Sequence, residues 1–227
     1  MKLIKSIFAA GLVLGFASTA NAASISFSDE YPAGASGGAV ATTNWTQTLT
    51  VSQFDASLGP LQSVSITLEG LIDGTGAAES EDGSPSVITL ELGVGFTADL
   101  SALTIADLVV DVAASDTFNA TAFDGVIDFA GTSGISGVPL SGSDTGGTST
   151  SNAADLALFT GLGTISFDIT ADGQSTATGA GNVISQFATN GGAILTVTYN
   201  YGEIPAPAPL ALLALGMLGI ARARRAK

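Results

Sequence analysis

Apolar residues alternate with small polar residues along most of this chain, and that two-residue period constrains the fold more than any other feature. In the segment WTQTLTVS, Trp45, Leu49 and Val51 share one face, while threonines occupy the other. The segment SVITLELGVGF keeps one phase from Ile88 to Phe96. Such alternation, bounded by Gly, Asp, Asn and Ser, is typical of β-strands with one buried face.

The same pattern recurs in SISFSD, SVSITLEG, LVVDV, TISFDIT and AILTVTYNY, the last being apolar enough for a central strand. Seven or more strands predict an all-β fold, an antiparallel β-sandwich of immunoglobulin-like or jelly-roll type. A stacked β-solenoid is the alternative, although no fixed repeat period is present. Residues Thr104 to Leu108 could form a helical turn. The Gly-, Ser- and Thr-rich stretch from Gly134 to Asp155 predicts a long mobile loop.

Charge is divided sharply along the chain. Its 6 Lys and Arg lie at the two ends, and its 20 Asp and Glu lie between Asp29 and Glu203, in a body without His or Cys. A body of this kind repels phosphate, so nucleic acid is excluded as a partner. Serine–histidine and cysteine–histidine catalysis and histidine or thiolate metal sites are excluded too. Carboxylate pairs alone remain for acid–base chemistry, and we expect no enzyme.

The N-terminal segment MKLIKSIFAAGLVLGFASTANA has the three parts of a secretory signal peptide. Lys2 and Lys5 precede an apolar stretch that is too short to span a bilayer stably, and Ala20-Asn21-Ala22 forms an A-x-A cleavage box. We therefore expect residues 1–22 to form a signal helix that signal peptidase removes. A permanent N-terminal anchor is the alternative.

The C-terminal segment EIPAPAPLALLALGMLGIARARRAK combines a proline ladder, a short apolar run and a basic cluster. Proline removes a helical hydrogen bond, so the ladder should be extended outside the membrane. The twelve apolar residues after it form a helix too short to hold a bilayer securely, and the cations should stay in the cytoplasm. The residues concerned are Ile204, Pro205, Pro207, Pro209, Arg222, Arg224 and Arg225. A core helix and a permanent anchor are the alternatives.

This tail resembles a PEP-CTERM sorting signal, with Ala206 where the eponymous glutamate would stand. The resemblance implies transient anchoring in the inner membrane of a Gram-negative bacterium by a transmembrane sorting helix. It also implies cleavage near the prolines by an exosortase-type enzyme, and release or transfer to the cell surface. Such proteins are common in organisms that make exopolysaccharide.

The body carries a second resemblance. Its segment NWTQTLTVSQFDASLGPLQSVSITLEG, from Asn44 to Gly70, is similar to the choice-of-anchor E domain of exported bacterial proteins. That similarity implies a β-rich surface domain without a defined activity. The expected organisation is a signal peptide over residues 1–22, a β-sandwich domain over 23–203 and a sorting signal over 204–227.

Two acidic segments leave calcium open as the one cofactor that the sequence does not exclude. AAESEDGSPS contains Glu79, Glu81 and Asp82, and FDGVID contains Asp124 and Asp128. Calcium takes six to eight oxygen ligands and tolerates irregular loops. The spacing matches no EF-hand, and a solvated acidic loop is the alternative.

Aromatic residues suggest one further ligand class. Trp45, Tyr31, Tyr199 and Tyr201 could stack on sugar rings, although a tryptophan in an alternating strand is more often part of the core. The expected function is that of an exported, exosortase-processed surface or extracellular matrix protein without catalytic activity, linked to exopolysaccharide or biofilm. A carbohydrate-binding module for the producer's exopolysaccharide is the alternative.

Overall fold

The structure is a computed structural model that describes residues 22–179 and 181–202. Within them the strands are β1 (Ala22–Tyr31), β2 (Ala41–Thr42), β3 (Trp45–Ser52), β4 (Leu61–Ser80), β5 (Ser86–Ala98), β6 (Leu108–Ala120), β7 (Gly134–Thr150), β8 (Thr164–Gly173), β9 (Thr176–Thr178) and β10 (Val183–Gly202). One helix, α1 (Ala153–Phe159), follows β7. The expected signal and sorting helices, with Ala20 and Ile204 to Arg225, lie outside this range. None of the helices in the described part is long and apolar enough to cross a bilayer.

Two antiparallel sheets make up the described chain, which confirms the all-β sandwich. In the first sheet the strand order is β1-β10-β4-β7, and β2 adds to β10. In the second sheet the order is β3-β8-β5-β6, and β9 adds to β5. The strand AILTVTYNY is central, as predicted, because it forms the second half of β10 between β1 and β4.

The core lies between the sheets and consists of the residues that the two-residue period places on one face. Ile66 and Leu68 of β4, Leu90 and Leu92 of β5 and Leu195 of β10 are each at most 1% exposed. The threonines of β3 point outward, and Leu49 and Val51 point inward. Burial of these apolar side chains is the main source of stability in such a fold.

The prediction of a long loop from Gly134 to Asp155 was wrong. Residues 134–150 form β7, which pairs with β4 from Val64 to Glu79. Gly146 fits at its position because β7 approaches β6 closely there: a Cβ built on Gly146 would lie 2.7 Å from Val110 Cγ2. A strand that packs this tightly accommodates small residues, and β4 satisfies its main-chain groups.

The suggested helical turn from Thr104 to Leu108 is also absent from the described chain. Leu108 begins β6, and residues 101–105 form irregular turns. The Thr104 amide donates a 2.9 Å hydrogen bond to Asp155 Oδ1 instead of closing a helical turn. A side chain distant in sequence therefore determines the local backbone.

The two ends of the described chain meet at one end of the sandwich. Ala22 is the strand partner of Gly202, and the Gly202 amide donates a 3.0 Å hydrogen bond to the Pro60 carbonyl. From there β4 runs 20 residues to Ser80, at the opposite end. At 3.2–3.4 Å per residue, the two ends of the sandwich are separated by roughly 60 Å.

Candidate functional site

The acidic candidates lie at the end of the sandwich remote from Ala22 and Gly202. Three segments meet there: residues 81–85, residues 121–133 and residues 181–182 just before β10. The Ser80 amide donates to the Ser133 carbonyl at 2.9 Å, and the Phe123 amide donates to the Asp82 carbonyl at 2.8 Å. The Glu81 amide donates to Asn182 at 2.9 Å. The fold therefore brings the two acidic segments together.

The five carboxylates nevertheless have different environments. Asp124 Oδ1 accepts a 2.9 Å hydrogen bond from the Val126 amide, and Asp128 Oδ1 accepts a 3.0 Å bond from the Ala130 amide. Both bonds shape turns of the 121–133 connection. In residues 22–179 and 181–202, no three acidic side chains are grouped so that they could hold one metal ion. The five candidate residues therefore do not converge on one point.

Glu79 differs from the other four because it is fully buried. Its side chain is 0% exposed, and neither carboxylate oxygen has a hydrogen-bond partner among the described residues. Glu79 is the strand partner of Gly134 on β7 and of Ile184 on β10. Its Oε2 lies 2.1 Å from the position that a Cβ on Gly134 would occupy, and the Ala130 amide nitrogen lies 2.7 Å from that position. The 121–133 connection thus covers the carboxylate.

The candidate stacking aromatics are core residues or pack against the core. Tyr199 is 0% exposed, and its hydroxyl donates a 2.8 Å hydrogen bond to the Ser52 carbonyl. The suggestion that Tyr199 is exposed for a sugar was therefore wrong. Tyr201 is half-buried against Phe54, with ring centroids 5.1 Å apart. Both tyrosines are on the inner face because the odd-numbered residues of this part of β10 face the second sheet.

Trp45 belongs to the same inner layer. Its ring packs edge-on against Tyr31, with centroids 4.8 Å apart, and lies 6.3 Å from Phe96. The indole Nε1 is buried and has no partner within the described chain. Trp45 is thus a half-buried core residue, which agrees with the expectation for a lone tryptophan in an alternating strand.

Two adjoining surface clefts lie beside an aromatic residue that the sequence analysis did not single out. Phe187 of β10 is half-exposed and borders both clefts, one of about 300 Å³ and one of about 370 Å³. The smaller is further lined by Thr75, Gly76, Ala77, Ser136, Gly137, Gln186 and Ala188. The larger is lined by Thr42, Thr43, Asn44, Gly173, Ser175, Ala188 and Thr189. Neither lining contains a charged residue.

Phe187 was missed because the last strand was expected to begin near Ala193, whereas β10 begins at Val183. The sequence does contain a weak sign that the strand begins earlier. In VISQFATNGG, Val183 and Phe187 are four positions apart, which is compatible with one face of a strand. The glycines that follow obscured this continuity.

A buried carboxylate outside the predicted set has a structural role. Asp155 of α1 is 1% exposed and accepts hydrogen bonds from the Thr150 hydroxyl at 2.6 Å and the Thr104 hydroxyl at 2.7 Å. The Thr150 bond, together with those from Thr104, outweighs burial and lowers the pKa of Asp155. With these hydrogen bonds, the Asp155 carboxylate joins α1, β7 and the turn before β6.

Comparison with known proteins gives no family for this chain. No family model and no curated protein sequence matches it. The structure of infectious bursal disease virus Gx strain is 12% identical and has a TM-score of 0.23, over 96% of this chain and 54% of that one. The T13 particle of the same virus is 9% identical with a TM-score of 0.23, over 86% and 44%. This chain thus spans about half the length of those chains, and TM-scores this low support no inference about its fold or role.

Proposed function

We propose that this protein is an exported, non-catalytic β-sandwich that is anchored transiently in the inner membrane and then delivered to the surface or extracellular matrix of a Gram-negative bacterium. The observation that carries the proposal is the pairing of Ala22 with Gly202 at the edge of the folded body. Cleavage after Ala22 and near residues 204–209 would remove both terminal segments and leave every buried core residue in place. Both cleavage sites would then lie, in sequence, within a few residues of the Ala22–Gly202 pair.

The chemistry of the body supports a role without catalysis. Residues 23–203 carry all 20 acidic side chains and no Lys, Arg or His. Such a charge keeps released copies soluble and apart. It also repels anionic lipid headgroups, so the membrane contact would come from the tail alone. Signal peptidase and an exosortase-type enzyme are the expected partners, and exopolysaccharide is the expected surrounding material.

Strand order supports a finer assignment of the fold. Successive long strands alternate between the two sheets, ordered β1-β10-β4-β7 and β3-β8-β5-β6, except at the β5–β6 hairpin, which stays in the second sheet. We infer a jelly roll from this alternation, since a jelly roll consists of eight strands in two Greek keys. The tip-to-tip length of β4 and β10 makes this an elongated version, with the termini at one end.

Processing can be tested by expressing the chain in a Gram-negative host that has an exosortase and in one that lacks it. Mass spectrometry of surface material from the first host should find Ala23 at the start and no peptide beyond about Pro209. A triple change of Pro205, Pro207 and Pro209 to alanine should leave full-length protein in the membrane. Pro85→Ala, an exposed loop proline, is the control. Surface protein that retains Lys227 would contradict the proposal.

The clefts beside Phe187 favour a second candidate, a carbohydrate-binding module. Sugar rings stack on aromatic faces, and hydroxyl and amide side chains such as Asn44 and Gln186 can hydrogen-bond to sugar hydroxyls. An uncharged lining in so acidic a body favours a neutral glycan.

Glycan arrays and titration calorimetry with the producer's exopolysaccharide distinguish this candidate from a plain scaffold. Phe187→Ala should abolish saturable binding, whereas Phe118→Ala, a half-buried phenylalanine of β6, should retain it. The absence of saturable binding by the unaltered protein would leave the scaffold role alone.

A further inference from the structure

Glu79 is a buried carboxylate in a body that contains no cationic side chain. Its carboxylate is 0% exposed, and both oxygens lack a hydrogen-bond partner in the described residues. A buried carboxylate is costly unless it is paired, hydrogen-bonded or bound to a metal. Every Lys and Arg of the chain precedes residue 6 or follows residue 221, and there is no His. No cationic side chain of the sandwich is therefore available to neutralise it.

The surroundings of Glu79 increase the attraction for a cation. The covering connection, residues 121–133, contains Asp124 and Asp128, and the Asp82 carbonyl binds its Phe123 amide. The carboxylate lies beside Gly134, where any larger residue of β7 would collide with it. Ser133, the neighbour of Gly134, has a buried hydroxyl that is also without a partner within the described chain. Negative charge and unused oxygen atoms therefore coincide at this end of the sandwich.

We propose that Glu79 is the principal ligand of a calcium ion that fastens the 121–133 connection to the ends of β4 and β7. The remaining ligands would be main-chain carbonyls, hydroxyls and water, because no three acidic side chains in the described range can share one ion. Calcium accepts such mixed oxygen sets, whereas magnesium requires stricter geometry and retains several waters. With one carboxylate, the expected affinity is that of extracellular modules, on the order of 10⁻⁴–10⁻³ M.

A site at Glu79 differs from the one that the two acidic segments suggest by themselves. Asp124 and Asp128 use an oxygen to shape turns of the connection, so they act mainly by their charge. Glu81 and Asp82 are half-buried at the margin and are not expected to be primary ligands. The proposal rests on the fold alone and does not depend on how the tail is processed.

The test is calcium titration of the purified protein by calorimetry and thermal unfolding, with magnesium and sodium chloride at matched ionic strength. Calcium at about 10 mM should raise the melting temperature by about 2–5 °C, and magnesium should do so much less. Glu79→Gln should remove the response to calcium and should be the more stable form in chelator. Glu91→Gln removes a charge from the exposed face of β5 and should respond as the unaltered protein does.

The position of the calcium site is tested by NMR: calcium should change the chemical shifts of the Glu79 carboxyl carbon and of the amides of residues 130–134. If Glu79→Gln does not fold, the calorimetric and NMR titrations of the unaltered protein decide the question by themselves. Failure of 10 mM calcium to bind, or an equal response in Glu79→Gln, would overturn the proposal.

Discussion

The Tyr199 hydroxyl donates a 2.8 Å hydrogen bond to the Ser52 carbonyl, and this bond joins the two sheets through the core. Tyr199 lies on β10 of the first sheet, and Ser52 ends β3 of the second. The ring also packs against Phe27, Phe54 and Phe159, with centroids 5.7 to 6.0 Å apart. One side chain thus contributes both apolar burial and a polar link between the layers.

Removal of this hydroxyl should weaken the fold at neutral pH. Tyr199→Phe keeps the ring but leaves the Ser52 carbonyl without its partner, so the free energy of unfolding should fall by about 1–2 kcal/mol. Urea unfolding measures the difference. Tyr201→Phe is the control, because the Tyr201 side chain is only half-buried and water can reach it. Equal stability of Tyr199→Phe and the unaltered protein would contradict the role of the bond.

The same residue should make the fold sensitive to alkali. Burial raises the pKa of Tyr199 from 10.0 to about 12. Between these values the unfolded chain loses the phenol proton and the folded chain keeps it, so stability should decrease as pH rises from 10 to 12. In Tyr199→Phe this decrease should be smaller, as thermal unfolding across that pH range will measure. If the melting temperatures of the two proteins fall in parallel over this pH range, Tyr199 is not the cause of the alkaline destabilisation.

Asp155 should make the stability of the fold decrease as the pH falls into the acid range. Hydrogen bonds from Thr150 and Thr104 lower its pKa below the ordinary value of 3.8. Its contribution is therefore present above about pH 4 and is lost as pH falls through the lower folded pKa. Asp155→Asn should lower the melting temperature clearly at pH 7, and the difference should shrink towards pH 3. Asp144→Asn is the control, since Asp144 is exposed and bonds the adjacent Thr145 amide. A difference that does not depend on pH would rule out this account.

Two neighbouring glycines test the packing of β7. Gly146→Ala places a methyl group 2.7 Å from Val110 Cγ2 and should cost about 1–3 kcal/mol of unfolding free energy. Gly147→Ala points to the other face, where Thr67 Cγ2 is 3.3 Å away, and should change stability by about 0.5 kcal/mol or less. Urea midpoints of the two variants give the comparison. Similar values, or rapid hydrogen exchange along residues 142–150, would restore the view that this stretch is a loop.

Local sequence was sufficient to predict the strands and their buried faces. Residues such as Ile66, Leu92 and Val112 follow a two-residue period, and that period is a property of neighbouring residues in the chain. The composition was likewise enough to exclude histidine- and cysteine-based chemistry, because no fold can supply a residue type that the chain lacks. The processing segments at either end stay predictions.

The tertiary structure alone decided what the same residue types do at particular places. Gly146 looks like a loop residue until β6 lies against it, and Glu79 looks like a solvated surface acid until residues 121–133 cover it. Phe187 borders its two clefts because β4 and β7 contribute to one of them and β2 and β8 contribute to the other. Periodicity reports which side of a strand a residue occupies, whereas burial and close approach depend on segments far away in sequence. Burial and close approach are therefore determined only when the two sheets pack against each other.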